Sequence, residues 1–214
     1  VLQVGEDDLE MEEGEIRITG EQGDSVSFSD LATMMNGVPG FKLPDGIEAG
    51  LEATHYFQPS QAAYANGSHV AEVEVDIETG EVKILRYVVA HDCGNLINPM
   101  IVDGQVQGGV AHGIGNALLE HLYYDENANP LTTTFAEYLL PTAELVPNVE
   151  ILHLESPNPN NPLGVKGAGE GGTLPAAAVI AAAIDDALSS FGVRFKDAPI
   201  RPHQIVAAVK GSTN

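Results

Sequence analysis

The sequence predicts a mixed α+β fold, in which a β-hairpin and further strands of a mixed sheet pack against one glycine-rich and one alanine-rich helix. In residues 71–77, apolar side chains alternate with acidic ones, which is the period of a half-buried strand. Residues 101–123 repeat an apolar side chain at every fourth position, as on one face of a helix. Residues 174–191 are rich in alanine, and we predict a second buried helix there.

The alternating segment is predicted to be the first arm of the hairpin. The sequence Glu-Thr-Gly-Glu at residues 78–81 is typical of a turn, because Gly80 can adopt a positive φ. Residues 82–90 then return as a second, more apolar strand. Further strands are predicted at residues 132–138 and 149–155, and a final short helix at residues 202–209.

Glycine is unusually frequent in the predicted helix at residues 101–123, which begins after Pro99. Each interior glycine costs about 1 kcal/mol of helix propensity relative to alanine. We interpret these glycines as places where another backbone or a bulky ligand approaches the helix closely. The apolar stripe is Val102, Val106, Val110, Ile114, Leu118 and Leu122, and the glycines are Gly104, Gly108, Gly109, Gly113 and Gly115.

Two regions are distinguished by composition. Residues 1–50 are predicted to be an acidic, weakly structured N-terminal segment, with a short strand at 14–18, a short helix at 31–35 and a loop at 37–50. Residues 51–214 are predicted to form the main domain. A long loop at residues 156–172 precedes the alanine-rich helix, for which Thr173 is the expected N-cap and Pro175 lies in the first turn.

The acidic composition excludes several classes of partner. The chain carries 31 acidic against 9 basic residues, and its net charge of −22 repels nucleic acid and anionic lipid. No apolar run reaches the roughly 18–20 residues that cross a bilayer.

Cys93 is the single cysteine, which excludes a disulfide framework and favours a reducing, cytoplasmic compartment. His91, His112 and His121 lack zinc-site spacing, so no side chain is predicted to ligate a metal.

A glycine-rich loop surrounds one glutamate in GVKGAGEGGT, residues 164–173. Residues 167–172 match GxGxxG, but a Pro/Asn-rich loop precedes them instead of a strand, which disfavours a dinucleotide site. Glu170 stands where a phosphate-binding P-loop needs Lys-Ser/Thr, and this excludes that motif. Glu170 can act as a general base if it borders a dry pocket, or it can simply cap the helix that follows.

Two stretches carry a family resemblance: DCGNLINPMIVDGQVQGGVAHGIGNALLEHLYYDENANPLTTTFAEYLLPTAELVPNVEI and SPNPNNPLGVKGAGEGGTLPAAAVIAAAIDDAL. They present NP before a GQxxGG helix, then YLLPT, a Lys-Gly-x-Gly-Glu loop and an alanine-rich helix. This order resembles the molybdenum-binding subunit of the xanthine dehydrogenase/aldehyde oxidase family, particularly its bacterial, carbon-monoxide-dehydrogenase-like large chains. The resemblance implies that residues 51–214 are the C-terminal part of a molybdenum-cofactor-binding domain.

The resemblance implies roles for the matching residues. Glu170 matches the family's general base, which takes a proton from an oxygen ligand of molybdenum as that oxygen attacks an electron-poor carbon. Gln105 matches a glutamine that contacts the pterin or its metal environment. Small residues in the loop and on the helix would leave room for metal, pterin and substrate. The remaining predicted cofactor contacts are Gly108, Gly109, Lys166, Gly167, Ala168 and Gly169.

The resemblance also implies cofactors and partners. Molybdopterin with molybdenum is expected in its cytosine dinucleotide form, because Gly171-Gly172 stands where animal members carry prolines. An aldehyde, an N-heterocycle or a similar carbon centre would be oxidised with water-derived oxygen, and electrons would pass to Fe-S and FAD partner subunits. Family chains are several times longer, so we expect a C-terminal fragment that is inactive without the remainder of the molybdenum subunit. The alternatives are a non-catalytic assembly domain and a dinucleotide-binding domain.

Overall fold

The computed structural model describes residues 1–20, 24–37, 39, 42–43 and 45–212, which form two compact units, Val1–Gln58 and Pro59–Asn214. In the first unit, strands β1 (Leu9–Glu12), β2 (Glu15–Ile18) and β3 (Ser25–Ser27) form an antiparallel sheet, followed by helix α1 (Phe28–Met35). The strand predicted at residues 14–18 is confirmed as β2, which begins at Glu15. Within the predicted loop at 37–50, residues 38, 40–41 and 44 lie outside the described residues.

The second unit is built on a three-stranded sheet. Strands β4 (Asn66–Val75) and β5 (Val82–Asp92) form the predicted antiparallel hairpin, and β6 (Val149–His153) pairs with β5 in parallel. Gly80 in the hairpin turn has a φ of 77°, and a Cβ there would overlap the backbone of Pro202. The turn therefore requires glycine for both its conformation and its packing.

Three helices complete the second unit: α2 (Pro99–Leu118), α3 (Ala176–Ala187) and α4 (Pro202–Ser212). The side chain of Asn98 caps α2 by accepting a hydrogen bond from the Ile101 N–H at 3.2 Å. Helix α3 packs against both β4 and α2. The α+β prediction with its glycine-rich and alanine-rich helices is confirmed. None of the described helices is both long enough and apolar enough to cross a membrane.

The hydrophobic core lies between the sheet and the helices. From the predicted stripe, Val102, Val106, Val110 and Ile114 are buried and Leu118 is half-buried. Helices α3 and α4 each contribute one buried face. Burying these side chains stabilises the fold by about 25 cal/mol for each Å² of apolar surface removed from water, and this holds the helices against the sheet. The largest contributions come from Tyr87, Val89, Val106, Val110, Ile114, Ile180, Ile184, Leu188, Ile200 and Ile205.

Several sequence-based assignments were wrong. Strand β6 ends at His153 and not at residue 155, and α3 ends at Ala187 and not at residue 191. The glycine-rich helix ends at Leu118 and not at residue 123, because the Glu120 N–H turns back to the Gly115 carbonyl and leaves Leu122 exposed. Residues 132–138 form turns and no strand, since the Glu137 carboxylate accepts the Thr133 N–H at 3.0 Å. Such local side-chain bonds compete with strand pairing.

Helix α3 also begins later than expected. It starts at Ala176, and the Thr173 N–H donates instead to the Glu170 carbonyl at 3.0 Å. Thr173 therefore belongs to the turn of the glycine-rich loop and is not the N-cap. Pro175 precedes the first helical residue, and its side chain offers no capping hydrogen bond.

Candidate functional site

An open cleft of about 720 Å³ lies beside the glycine-rich loop in the second unit. Residues 63–67, which lead into β4, form one wall, and residues 167–175 form much of the other. Glu170 lines this cleft and is exposed to solvent. The N terminus of α3 carries no side-chain capping bond, so the glutamate is not used as a helix cap. The carboxylate therefore stands at the edge of a space that a ligand can enter.

Gln105 reaches from α2 to the same loop. Its Nε2 donates a hydrogen bond to the Gly169 carbonyl at 3.4 Å, although the two residues are 64 positions apart in the chain. The structure thus brings together two motifs that the sequence separates, the GQxxGG helix and the Gly-x-Gly-Glu loop. The bond holds the peptide immediately before Glu170 against the helix.

The glycines of α2 divide into two groups. A Cβ on Gly109 would lie 2.7 Å from the Thr173 nitrogen, and one on Gly113 would overlap Ala176. A Cβ on Gly172 would in turn overlap the Val106 carbonyl. At these positions the close approach is between the helix and other parts of the protein itself. A Cβ on Gly104 or Gly108 would meet nothing within 4 Å, so this side of the helix is open to a ligand.

Gly108 and Gly109 were both predicted to contact a cofactor, but the helix directs them differently. Gly109 is buried beneath the glycine-rich loop, whereas Gly108 is exposed. In the loop, Gly167 and Gly169 line the cleft, while Ala168 is half-buried and packs against the hydrophobic core. The predicted cofactor contacts therefore include residues that face open space and residues that support the loop from behind.

Lys166 is turned inward to a carboxylate that the sequence analysis did not single out. Its Nζ lies 3.3 Å from Asp92 Oδ2, and the two side chains are only 11% and 10% exposed. Asp92 also accepts the Gly94 N–H at 2.9 Å and the Ser156 N–H at 3.2 Å. Burial opposes ionisation, but these hydrogen bonds prevail and hold the pKa of Asp92 well below its ordinary range. The pair ties the beginning of the glycine-rich loop to the end of β5.

The segment before the glycine-rich loop is fixed by asparagine side chains. Asn161 bonds both backbone groups of Val165, donating at 2.8 Å and accepting at 3.1 Å. Asn158 is buried and donates to the same Val165 carbonyl. The Lys166 N–H then donates to the Cys93 carbonyl at 2.7 Å. These side-chain bonds fix the turns of the segment, and Cys93 is a small buried side chain beneath it.

Two histidines lie beneath the residue that follows the glutamate. His69 Nε2 lies 3.4 Å from the Gly171 carbonyl, and its Nδ1 lies 2.9 Å from the Tyr87 hydroxyl. His91 is 1% exposed, and a Cβ on Gly171 would overlap its ring. The sequence analysis did not predict this pair of histidines. The alternation of the hairpin could have indicated them, because it directs alternate residues of β4 and β5 to the buried face of the sheet. In the described residues, no group of three or more His, Cys, Asp or Glu side chains is placed to hold a metal ion.

Residues 1–147 match the molybdopterin cofactor-binding domain family. The nicotine 6-hydroxylase large subunit of Paenarthrobacter nicotinovorans is 40% identical over 211 residues, which are 99% of this chain and 26% of the relative. The carbon monoxide dehydrogenase large chain of Hydrogenophaga pseudoflava is 34% identical over 210 residues, 98% of this chain and 26% of the relative. The chain thus spans about a quarter of the length of these curated relatives.

Solved structures show the same relationship. Quinoline 2-oxidoreductase from Pseudomonas putida 86 superimposes with a TM-score of 0.87 at 37% identity, over 98% of this chain and 26% of that chain. A Cu,Mo-CO dehydrogenase superimposes with a TM-score of 0.82 at 30% identity, over 99% and 26%. The chain therefore belongs to the molybdopterin cofactor-binding domain family, among the molybdenum subunits of the xanthine dehydrogenase/aldehyde oxidase type.

Proposed function

We propose that this chain supplies the catalytic base, Glu170, and part of the cofactor-binding wall of a molybdenum hydroxylase. The observation that carries the proposal is the position of Glu170 at the edge of the cleft, on a loop that is fixed on both sides. Before the glutamate, the loop is held by the bond from Gln105 to Gly169 and by the ion pair of Lys166 with Asp92. After it, the Thr173 N–H closes a turn onto the Glu170 carbonyl. Such support is what a general base needs to stay in place.

The residues around the cleft fit a planar heterocycle with hydrogen-bonding edges. Gly167 lines the cleft and leaves clear space for a flat group, since a Cβ there would meet nothing within 4 Å. On α2, a Cβ on Gly108 would likewise meet nothing within 4 Å. The amide of Gln105 and the loop backbone offer donors and acceptors to such an edge. Molybdopterin, when bound, would supply the metal centre that accepts electrons from the substrate. We propose its cytosine dinucleotide form on the strength of Gly171-Gly172.

The carboxylate of Glu170 would accept a proton from a water-derived oxygen as that oxygen attacks the substrate carbon. A positioned general base contributes about 10²- to 10⁴-fold to a reaction rate. Gly169 lines the cleft immediately before Glu170, and its lack of a side chain leaves room for the substrate beside the carboxylate. This role requires the carboxylate to be ionised before the reaction.

The substrates and partners follow from the relatives as proposals. The relatives include a nicotine 6-hydroxylase, a quinoline 2-oxidoreductase and a carbon monoxide dehydrogenase. We propose an N-heterocycle, an aldehyde or a similar carbon centre as the substrate of the enzyme to which this chain belongs. Electrons would leave through Fe-S and FAD subunits, and the remainder of the molybdenum subunit would complete the site. We propose a cytoplasmic location, because Cys93, the single cysteine of this chain, forms no disulfide framework.

A second candidate is an assembly domain without a catalytic role. It is favoured by the inward contacts of Gln105 and Lys166, which bond to the protein itself. A dinucleotide-binding domain is disfavoured, because the residues that precede GxGxxG form a loop instead of the strand that this motif requires. The catalytic role and the assembly role predict different effects of a substitution at Glu170 on turnover.

The test is the Glu170→Gln variant in the complete enzyme complex. We expect a molybdenum content close to that of the wild type and a loss of turnover of about 100-fold or more. Glu78→Gln, an exposed glutamate in the hairpin turn, is the matched control and should retain activity. Wild-type turnover in Glu170→Gln would defeat the catalytic assignment and support the assembly domain.

A further inference from the structure

Two imidazoles hold the peptide that follows the proposed base. His69 projects from β4 and His91 from β5, and both contact Gly171. Gly171 is bonded directly to Glu170, so any displacement of its carbonyl also moves the backbone that carries the carboxylate. Neither imidazole belongs to the glycine-rich loop or to the glutamine motif.

The hydrogen bonds of His69 determine its tautomer. The Gly171 carbonyl only accepts, so His69 Nε2 must carry the proton and donate across 3.4 Å. In a neutral imidazole Nδ1 is then an acceptor, and the Tyr87 O–H donates to it across 2.9 Å. Tyr87 is fully buried, and its ring meets the imidazole edge-on with centroids 5.7 Å apart. Tyr87 therefore orients His69, and His69 fixes the Gly171 carbonyl.

His91 forms the floor under the same peptide. Both of its ring nitrogens are buried, and neither has a hydrogen-bond partner within the described structure. An unpaired buried polar group costs about 1–3 kcal/mol, so a small apolar side chain would be the more stable choice here. The ring fits only because residue 171 lacks a Cβ. Costly groups of this kind are typically retained next to functional sites.

We propose that His69 is a positioning residue for Glu170: oriented by Tyr87, it holds the Gly171 carbonyl against the floor formed by His91 and so keeps the carboxylate at the cleft. This inference rests on the proposed function, in which Glu170 is the base. The groups around the pair are Tyr87 beside His69, and Asp92 and His153 beside His91. Burial lowers the pKa of both His69 and His91, which favours the neutral imidazole that the two hydrogen bonds of His69 require.

The experiment compares His69→Ala with His69→Gln in the complete enzyme complex. Glutamine retains an N–H that can reach the Gly171 carbonyl, whereas alanine does not. We expect His69→Ala to lower kcat about tenfold or more, with KM within about twofold of the wild type, because a displacement of about 1 Å can cost two orders of magnitude in rate. His69→Gln should recover most of the loss at normal molybdenum content.

Tyr87→Phe gives an independent variant if His69→Ala folds poorly. It removes only the hydroxyl that orients His69, and we expect a smaller fall in kcat in the same direction. Wild-type kcat in His69→Ala, equal impairment in His69→Ala and His69→Gln, or a loss that follows molybdenum content would each overturn the inference. Glu170→Gln distinguishes a failure of the catalytic role of Glu170 from a failure of the positioning role of His69. Full turnover in Glu170→Gln would overturn the proposed function. An inactive Glu170→Gln together with an unimpaired His69→Ala would overturn only the positioning role.

Discussion

Removal of the Lys166 ammonium distinguishes a structural lysine from one that binds the cofactor. In Lys166→Met, the Asp92 carboxylate keeps its bonds from Gly94 and Ser156 but loses its cation, which lies 3.3 Å away. Breaking a buried ion pair by removing one partner costs 3–5 kcal/mol. Because each side chain here retains about a tenth of its exposure, we expect the lower end, about 3 kcal/mol.

Hydrogen exchange of the Gly94 and Ser156 amides in the intact molybdenum subunit measures this loss where it occurs, since both N–H groups donate to Asp92. A local destabilisation of about 3 kcal/mol corresponds to exchange that is about 100-fold faster. The double variant Lys166→Met/Asp92→Asn should recover much of the protection, because neither charge is then buried alone. Unchanged exchange combined with a fall in molybdopterin content would refute the structural role and indicate that Lys166 binds the cofactor.

Further predictions concern packing and pH. Gly172→Ala should destabilise the subunit by about 1–3 kcal/mol, because the new Cβ overlaps the Val106 carbonyl. Gly104→Ala meets no neighbour and should stabilise the subunit by up to about 1 kcal/mol. The midpoints of urea unfolding measure both effects, and equal midpoints for the two variants would contradict the packing at Gly172. Burial lowers the pKa of His91 below 6.5. The stability that depends on a neutral His91 is therefore fully present above pH 6.5 and is lost as the pH falls through the lowered pKa. The thermal midpoint should therefore fall between pH 7 and pH 5 less steeply in His91→Asn than in the wild type. The lowered pKa of Asp92 acts in a separate window below about pH 4, and an identical slope in both proteins would contradict the assignment to His91.

The elements that were predicted well are those with a local signal. Strict alternation defined β4, a Gly-containing turn defined the hairpin, and the fourfold apolar repeat defined α2. The glycines of α2 were interpreted as points of close approach, and in the structure Gly109 faces the turn at Thr173 while Gly113 faces Ala176. In these cases the physical cause lies within a few residues of its effect.

The features that were missed depend on partners distant in sequence. Asp92 and Lys166 are 74 positions apart, and His69 and Gly171 are 102 apart, so no local pattern marks either contact. The false strand at residues 132–138 has β-forming residues, but the Glu137 carboxylate bonds the local backbone first. Pairing across the sheet and loop docking therefore decide the site, and a single sequence carries little information about them.

The most direct test of the account measures the first turnover alone. Anaerobic mixing of substrate with the complete complex reports how fast the enzyme is reduced, without the later transfer of electrons to an external acceptor. If Glu170 is the general base, Glu170→Gln slows this reduction by about 100-fold or more while the molybdenum content stays normal. Reduction at the wild-type rate in Glu170→Gln would show that the carboxylate at the cleft is not the base.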